Sequence, residues 1–143
     1  VAPVSGNLIP LSQVSDPVFS QGMMGEGFAV EPTNAKVVAP IDGVIKSIFP
    51  TKHALTLTSN QGRDLLIHIG IDTVELQGNG FHSYVNQGDQ VKKGDPVVKA
   101  DIASIKAKGY DVTTMVIFTD GKQPVVEKLN ELVKEGEDVA SIA

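Results

Sequence analysis

The chain of 143 residues is 41% hydrophobic and 20% charged, with 14 glycines and 8 prolines. That is the composition of one turn-rich globular domain, able to bury roughly two thirds of its unfolded surface around a single core. Its net charge of −5 argues against the clustered Lys and Arg of a nucleic-acid surface. The absence of cysteine excludes disulfides, thiolate metal sites and a thiol nucleophile.

Short apolar runs rich in Val and Ile predict strands at 6–11, 27–31, 36–39, 43–49, 54–59, 64–70, 81–85, 96–101 and 112–118. Turn residues separate them: Ser59-Asn60-Gln61-Gly62, Gly78-Asn79-Gly80, Gln87-Gly88-Asp89 and Asp120-Gly121. Beyond the last of these, Val125, Val126, Leu129, Leu132 and Val133 fall on one helical face. Residues 124–135 therefore score as a helix on pattern, with a strand and short turn as the alternative. Two echoes recur along the chain. Ala2-Pro3-Val4-Ser5-Gly6 matches Ala39-Pro40-Ile41-Asp42-Gly43, and residues 85–91 match 133–139 around a shared glycine. The expected fold is mainly β, a closed or sandwiched antiparallel sheet with few short helices and an approximate internal duplication.

No apolar run approaches the roughly 20 residues that span a bilayer, and no signal-peptide pattern opens the chain. The expectation is a cytoplasmic protein with no nucleic-acid partner and no membrane insertion of its own. No linker-like break divides it, so 1–143 reads as a single domain. The start at Val1 rather than Met suggests a domain excised from a larger polypeptide.

One imidazole interrupts the apolar run Leu65-Leu66-Ile67-His68-Ile69-Gly70-Ile71-Asp72. Strand alternation puts Leu66 and His68 on one face and Leu65, Ile67 and Ile69 on the other, so His68 need not enter the core. His53 opens the preceding strand. A turn centred between Asn60 and Gln61 makes the two histidines equidistant from it, and hence opposed across a hairpin with Cβ atoms about 5 Å apart. Thr51, two residues before His53, can hold that ring in one tautomer. Paired imidazoles allow three chemistries: a metal site, general acid-base work, or covalent catalysis on histidine with the neighbouring ring positioning phosphoryl oxygens. The HExxH spacing of zinc enzymes is absent, although His82 or Asp72 could supply a third ligand. Spacing leaves all three open. His82 itself reads as a surface residue, and residues 88–95 are similar to the hairpins of biotinyl and lipoyl carriers, but no lysine follows the Met23-Met24 pair as the carriers' motif needs, so only turn chemistry is shared.

Residues 62–74, GRDLLIHIGIDTV, resemble the phosphohistidine signature of the glucose-type enzyme IIA domains of the bacterial phosphoenolpyruvate-dependent sugar phosphotransferase system. The resemblance extends to VSDPVF at 14–19, MMGEG at 23–27, VAPIDG at 38–43, FPTKHA at 49–54 and VELQGNGF at 74–81, and covers the chain from about Pro3 onward. It implies an antiparallel β-sandwich, which favours a strand over the helix near Val125–Leu129. It also implies phosphoryl transfer from the phosphocarrier HPr to His68 and onward to a cysteine of a IIB domain. His53 then helps to hold the phosphoryl group, and Thr51 orients His53. Asp16 and Asp72 meet an arginine of HPr, and Val18, Phe19, Met23, Met24, Phe49, Leu66 and Val74 form an apolar collar for partners. No cofactor and no metal are implied, and a fused transporter could tether the domain to the inner face of the membrane. Two other classes remain: a regulatory IIA module of a sugar transporter, and a zinc-dependent hydrolase using the His53/His68 pair.

Overall fold

The computed structural model describes residues 1–16, 20–21, 25–120 and 124–141. An eight-stranded antiparallel sheet forms the body, in the order β12-β1-β2-β10-β6-β5-β4-β8. Its members are β1 (Gly6–Pro10), β2 (Glu26–Pro32), β4 (Gly43–Ile48), β5 (Ala54–Ser59), β6 (Asp64–Ile69), β8 (Gln90–Val91), β10 (Thr114–Phe118) and β12 (Leu132–Val133). A second sheet has the order β3-β9-β7, from β3 (Lys36–Val38), β7 (Phe81–Ser83) and β9 (Pro96–Ala100). A short ribbon pairs β11 (Val125–Val126) with β13 (Ala140–Ser141). The expected antiparallel β architecture is therefore observed.

The two main sheets face each other across a core of Ile45, Leu55, Leu57, Ile67 and Ile69 against Val37, Val98, Ala100 and Phe81. Alternation sends the intervening side chains to the opposite face of the large sheet. There Leu66, Ala54, Met115, Ile117, Ala29 and Ile9 pack beneath Leu11, Val14 and Ile71, which lie outside the strands. His68 belongs to this second face. Among the described residues it is roofed by connecting segments rather than by another sheet, which places the imidazole near the surface without exposing the core.

All nine sequence-derived strands are present, 54–59 with unchanged bounds and the others trimmed or extended by one or two residues at an end. Two expectations change. The apolar stripe at 124–135 takes the strand-and-turn alternative that the family resemblance favours, not the helix its pattern scores: it forms β11, a turn and β12, with Lys128 and Asn130 in the left-handed region at φ 62° and 65°. Val126 and Val133 turn inward onto a core around Leu8 and Val30, while Val125 is 65% and Leu132 78% exposed. Alternating burial of this kind suits strands rather than one continuous helical face, and long-range pairing of Leu132–Val133 with β1 fixes it. The second change is a helix that periodicity misses, α1 (Ile102–Ala107), whose first turn is capped by the Asp101 carboxylate accepting from the Ser104 N–H at 3.2 Å. It is six residues long, too short to show a repeat.

The duplication appears in the backbone. The Ala2 N–H donates to Glu137 O and Ala2 O accepts from Gly136 N–H, while the Ala39 N–H donates to Asp95 O and Ala39 O accepts from Gly94 N–H. The first echo is thus structural, but the counterpart of 133–139 is 91–97 rather than 85–91.

Candidate functional site

Two cross-strand neighbours flank His68 on its own face, Ala54 from β5 and Met115 from β10, with Leu66 next but one along β6. Ala54 and Met115 are fully buried and Leu66 is 5% exposed, so the imidazole rises from an apolar floor. The β5–β6 connection sets the register. Thr58 pairs with Asp64 and Gly62 sits at φ 81°, a three-residue loop with its last residue left-handed. This loop is one residue longer than the two-residue turn assumed from sequence, so Ala54, not His53, lies opposite His68.

The two rings meet nonetheless. His53 stands just before β5, after Lys52 at φ 60°, and its ring centroid lies 5.1 Å from that of His68 in an edge-to-face arrangement at 81°. Phe49 approaches the His53 ring at 5.5 Å and 87°. His53 is consequently buried, while Phe49 is 39% exposed at the rim.

Each imidazole is held through Nδ1. The His53 Nδ1 and Thr51 Oγ1 are 2.6 Å apart, the contact anticipated from sequence. The His68 Nδ1 lies 2.7 Å from the Gly70 carbonyl oxygen. A carbonyl only accepts, so His68 Nδ1 carries the proton and donates it, which leaves the lone pair of the neutral ring on Nε2. Gly70 is shaped for this: its φ is 77°, and an added Cβ would lie 2.5 Å from Thr73 Cγ2 and 2.8 Å from the Asp111 carbonyl oxygen. The sequence contains the signal, a glycine one residue past the strand that bears His68, but no rule of spacing reveals its carbonyl as a ring partner.

Burial pushes the His53 imidazole down to about 4, with the neighbouring His68 ring adding to the effect. Burial likewise lowers His68, against the opposing pull of the Gly70 carbonyl and of the Asp16 and Asp72 carboxylates. Both rings are therefore neutral near pH 7. The two acids reach His68 from separate segments. Asp16 lies between β1 and β2, and Asp72, exposed at φ 60°, leads into a 3₁₀ turn at Thr73–Leu76. Val74 on that turn is 51% exposed. Of the anticipated apolar collar, Phe49, Leu66 and Val74 are thus placed on a rim or floor, whereas Val18, Phe19, Met23 and Met24 lie outside the described residues. His82 is exposed on β7, its ring edge-to-face with Tyr84 at 5.0 Å.

Among the described residues no three His, Asp or Glu side chains are grouped to hold a metal ion. No helix among them is long and apolar enough to cross a membrane.

The fold and this pair define a mainly antiparallel β protein presenting two neutral imidazoles, one of them with an unprotonated Nε2, over an apolar floor. Residues 1–124 match the model of the phosphoenolpyruvate-dependent sugar phosphotransferase system EIIA 1 family, and the chain belongs to that family. It is 48% identical over 120 residues to a glucose-specific EIIA component of Oceanobacillus iheyensis, covering 84% of this chain and 73% of that relative. It is also 48% identical over 133 residues to a beta-glucoside-specific EIIBCA component of Bacillus subtilis, covering 93% of this chain but 22% of the relative. The chain thus spans about a fifth of the length of such multi-component relatives. The solved glucose permease IIA from Mycoplasma capricolum superposes with a TM-score of 0.90 at 42% identity, over 97% of this chain and 91% of that one.

Proposed function

We propose that residues 1–143 form a single IIA domain that relays a phosphoryl group through His68. The observation that carries this reading is the tautomer: the Gly70 carbonyl holds the His68 proton on Nδ1 and leaves Nε2 as the nucleophile. The Nε2 lone pair attacks the phosphorus of phospho-HPr, an N–P bond forms, and the N–P bond to the donor histidine breaks with its electron pair returning to that ring. In the second step a IIB cysteine thiolate attacks the same phosphorus and the His68 N–P bond breaks in turn.

Phosphoryl transfer of this kind asks the protein chiefly for alignment and charge stabilisation, which a rigid strand supplies. His53 stabilises the phosphoryl oxygens. For that it must donate from Nε2, which requires Thr51 Oγ1 to donate to Nδ1 rather than accept from it. Asp16 and Asp72 take no part in holding the anion, since like charges repel. They pair with a cationic side chain of HPr that covers the phosphoryl group during transfer. The exposed rims of Phe49 and Val74, with Leu66 beneath, receive HPr and IIB in turn. The relay operates in the cytoplasm, free or tethered through B and C components of the same polypeptide, the arrangement named in the EIIBCA relatives.

The test is incubation with phosphoenolpyruvate, enzyme I and HPr, followed by mass spectrometry under alkaline conditions that preserve phosphohistidine. Wild type and His53→Gln should carry one phosphoryl group and His68→Gln none, with His53→Gln failing to pass it to IIB. Wild type that takes no label from a competent HPr refutes the relay.

A further inference from the structure

The two carboxylates that act on His68 sit on segments distant in sequence, and one residue outside the signature touches both. Asp111 lies in the loop between α1 and β10. Its Oδ1 accepts from the Thr113 N–H at 2.9 Å and from the Thr113 hydroxyl at 2.7 Å, a local turn that starts β10. Its Oδ2 reaches across 96 positions to accept from the Ser15 hydroxyl at 3.1 Å, next to Asp16. Its backbone carbonyl accepts from the Ile71 N–H at 2.9 Å, next to Asp72, and the Thr113 carbonyl accepts from the Gly70 N–H at 3.0 Å.

We propose that Asp111 is a positioning residue of the His68 site, clamping the Ser15–Asp16 segment and the Gly70–Ile71–Asp72 turn together around the ring. The inference rests on the phosphoryl-relay reading for its functional meaning, though not for its geometry. An Asx turn needs one carboxylate oxygen. That both oxygens of an exposed aspartate are engaged, one of them across the site, is what a turn alone leaves unexplained. Burial raises this carboxyl, but the hydrogen bonds from Thr113 and Ser15 and the field of Lys106 outweigh it and hold the group ionised. The clamp is therefore a charge-assisted acceptor throughout the physiological range. Tyr110, beside Asp111, has its phenol raised by burial and by the Glu75 and Asp72 carboxylates. Asp16 and Asp72 raise the His68 imidazole, so Asp111 acts on that ring through the placement of those two groups.

The experiment compares Asp111→Ala, Asp111→Asn and Ser15→Ala. Ser15→Ala deletes only the crossing bond and leaves the Asx turn, so it stays informative if Asp111→Ala does not fold. The first readout is the His68 imidazole titration by NMR, which needs no partner protein. It should fall in Asp111→Ala and Ser15→Ala as Asp16 drifts from the ring. Asp111→Asn should restore it, since an amide keeps the Thr113 bonds and can donate to the Ser15 hydroxyl. The second readout is transfer from phospho-HPr, where KM should rise roughly two- to fivefold with kcat retained, the size expected for a displaced exposed charge. The third is Asp16→Asn made in both backgrounds: its effect should shrink where Asp111 is alanine. An unmoved His68 titration in folded Asp111→Ala and Ser15→Ala, or an Asp16→Asn effect equal in both backgrounds, overturns the clamp. Wild type that accepts no phosphoryl group refutes the relay and leaves the titration result to decide the clamp by itself.

Discussion

Replacing Gly70 by alanine tests the link between backbone geometry and the His68 nucleophile. The new Cβ would lie 2.5 Å from Thr73 Cγ2 and 2.8 Å from the Asp111 carbonyl oxygen, at a φ of 77°. Neither neighbour has room to yield. Thr73 is fully buried and its hydroxyl donates to the Ile69 carbonyl at 2.5 Å, and the Asp111 oxygen is backbone already engaged with the Ile71 N–H. Left-handed strain in a non-glycine residue costs about 1 kcal/mol or more, and overpacking adds a further 1–3 kcal/mol, so about 3 kcal/mol of stability should be lost. In a chain of this size that corresponds to a melting point lower by about 6–12 °C. The same displacement turns the Gly70 carbonyl away from His68 Nδ1, releasing the tautomer. Urea denaturation gives the first quantity and ¹⁵N chemical shifts of the His68 ring the second. A variant within about 0.5 kcal/mol of wild type, with Nδ1 still the protonated nitrogen, would refute the reasoning.

Two further outcomes follow from the same geometry. His53 is held at about 4 in the folded protein against an ordinary value of 6.5, so the unfolded chain binds more protons between these limits. Stability should therefore fall as pH is lowered from 6.5 towards 4 and level off below. The full shift corresponds to about 3 kcal/mol, of which about 1–2 kcal/mol should survive screening by water in the open depression. The pH dependence of denaturation in wild type and His53→Gln measures it, and identical profiles would contradict the assignment. At the other end of β6, Arg63 Nε donates to Asp120 Oδ2 at 2.6 Å, and its guanidinium lies 4.8 Å from the Phe118 ring centroid. Asp120→Ala should cost about 2–3 kcal/mol, because Arg63 stays buried with its charge less well compensated. A loss under about 0.5 kcal/mol in urea would show the pair to be incidental.

Much of the site's placement is legible from strand chemistry. The alternation in 64–70 puts His68 with Leu66 and against Leu65, Ile67 and Ile69; Ile67 and Ile69 enter the core between the sheets, Leu65 an adjoining cluster with Leu8 and Val30, and Leu66 the separate cluster that also holds Ala54 and Met115. The Thr51–His53 contact is also readable, since two residues suffice to bring the hydroxyl to the ring. Register is less so. A one-residue difference in the 59–62 turn moves Ala54 opposite His68, and the rings still meet because His53 stands outside the regular strand, where pleat alternation no longer governs it.

The sequence by itself determined the periodicities, the turn residues and the chemistry on offer, because these depend on neighbours a few positions apart. It specified a mainly antiparallel β chain with two histidines close to one hairpin. Only the tertiary structure decided what lies opposite what. The apolar stripe of 124–135 became strand and turn because β1 offered an edge to Leu132–Val133 and the core around Leu8 and Val30 took Val126 and Val133. His68 acquired its tautomer from the Gly70 carbonyl, whose direction depends on the close packing of Thr73 and Asp111 around a left-handed turn. Asp16 and Asp72 act on His68 from separate segments, and Asp111 accepts from Ser15 across 96 positions. Such convergence is a property of packing in three dimensions, which local pattern does not encode.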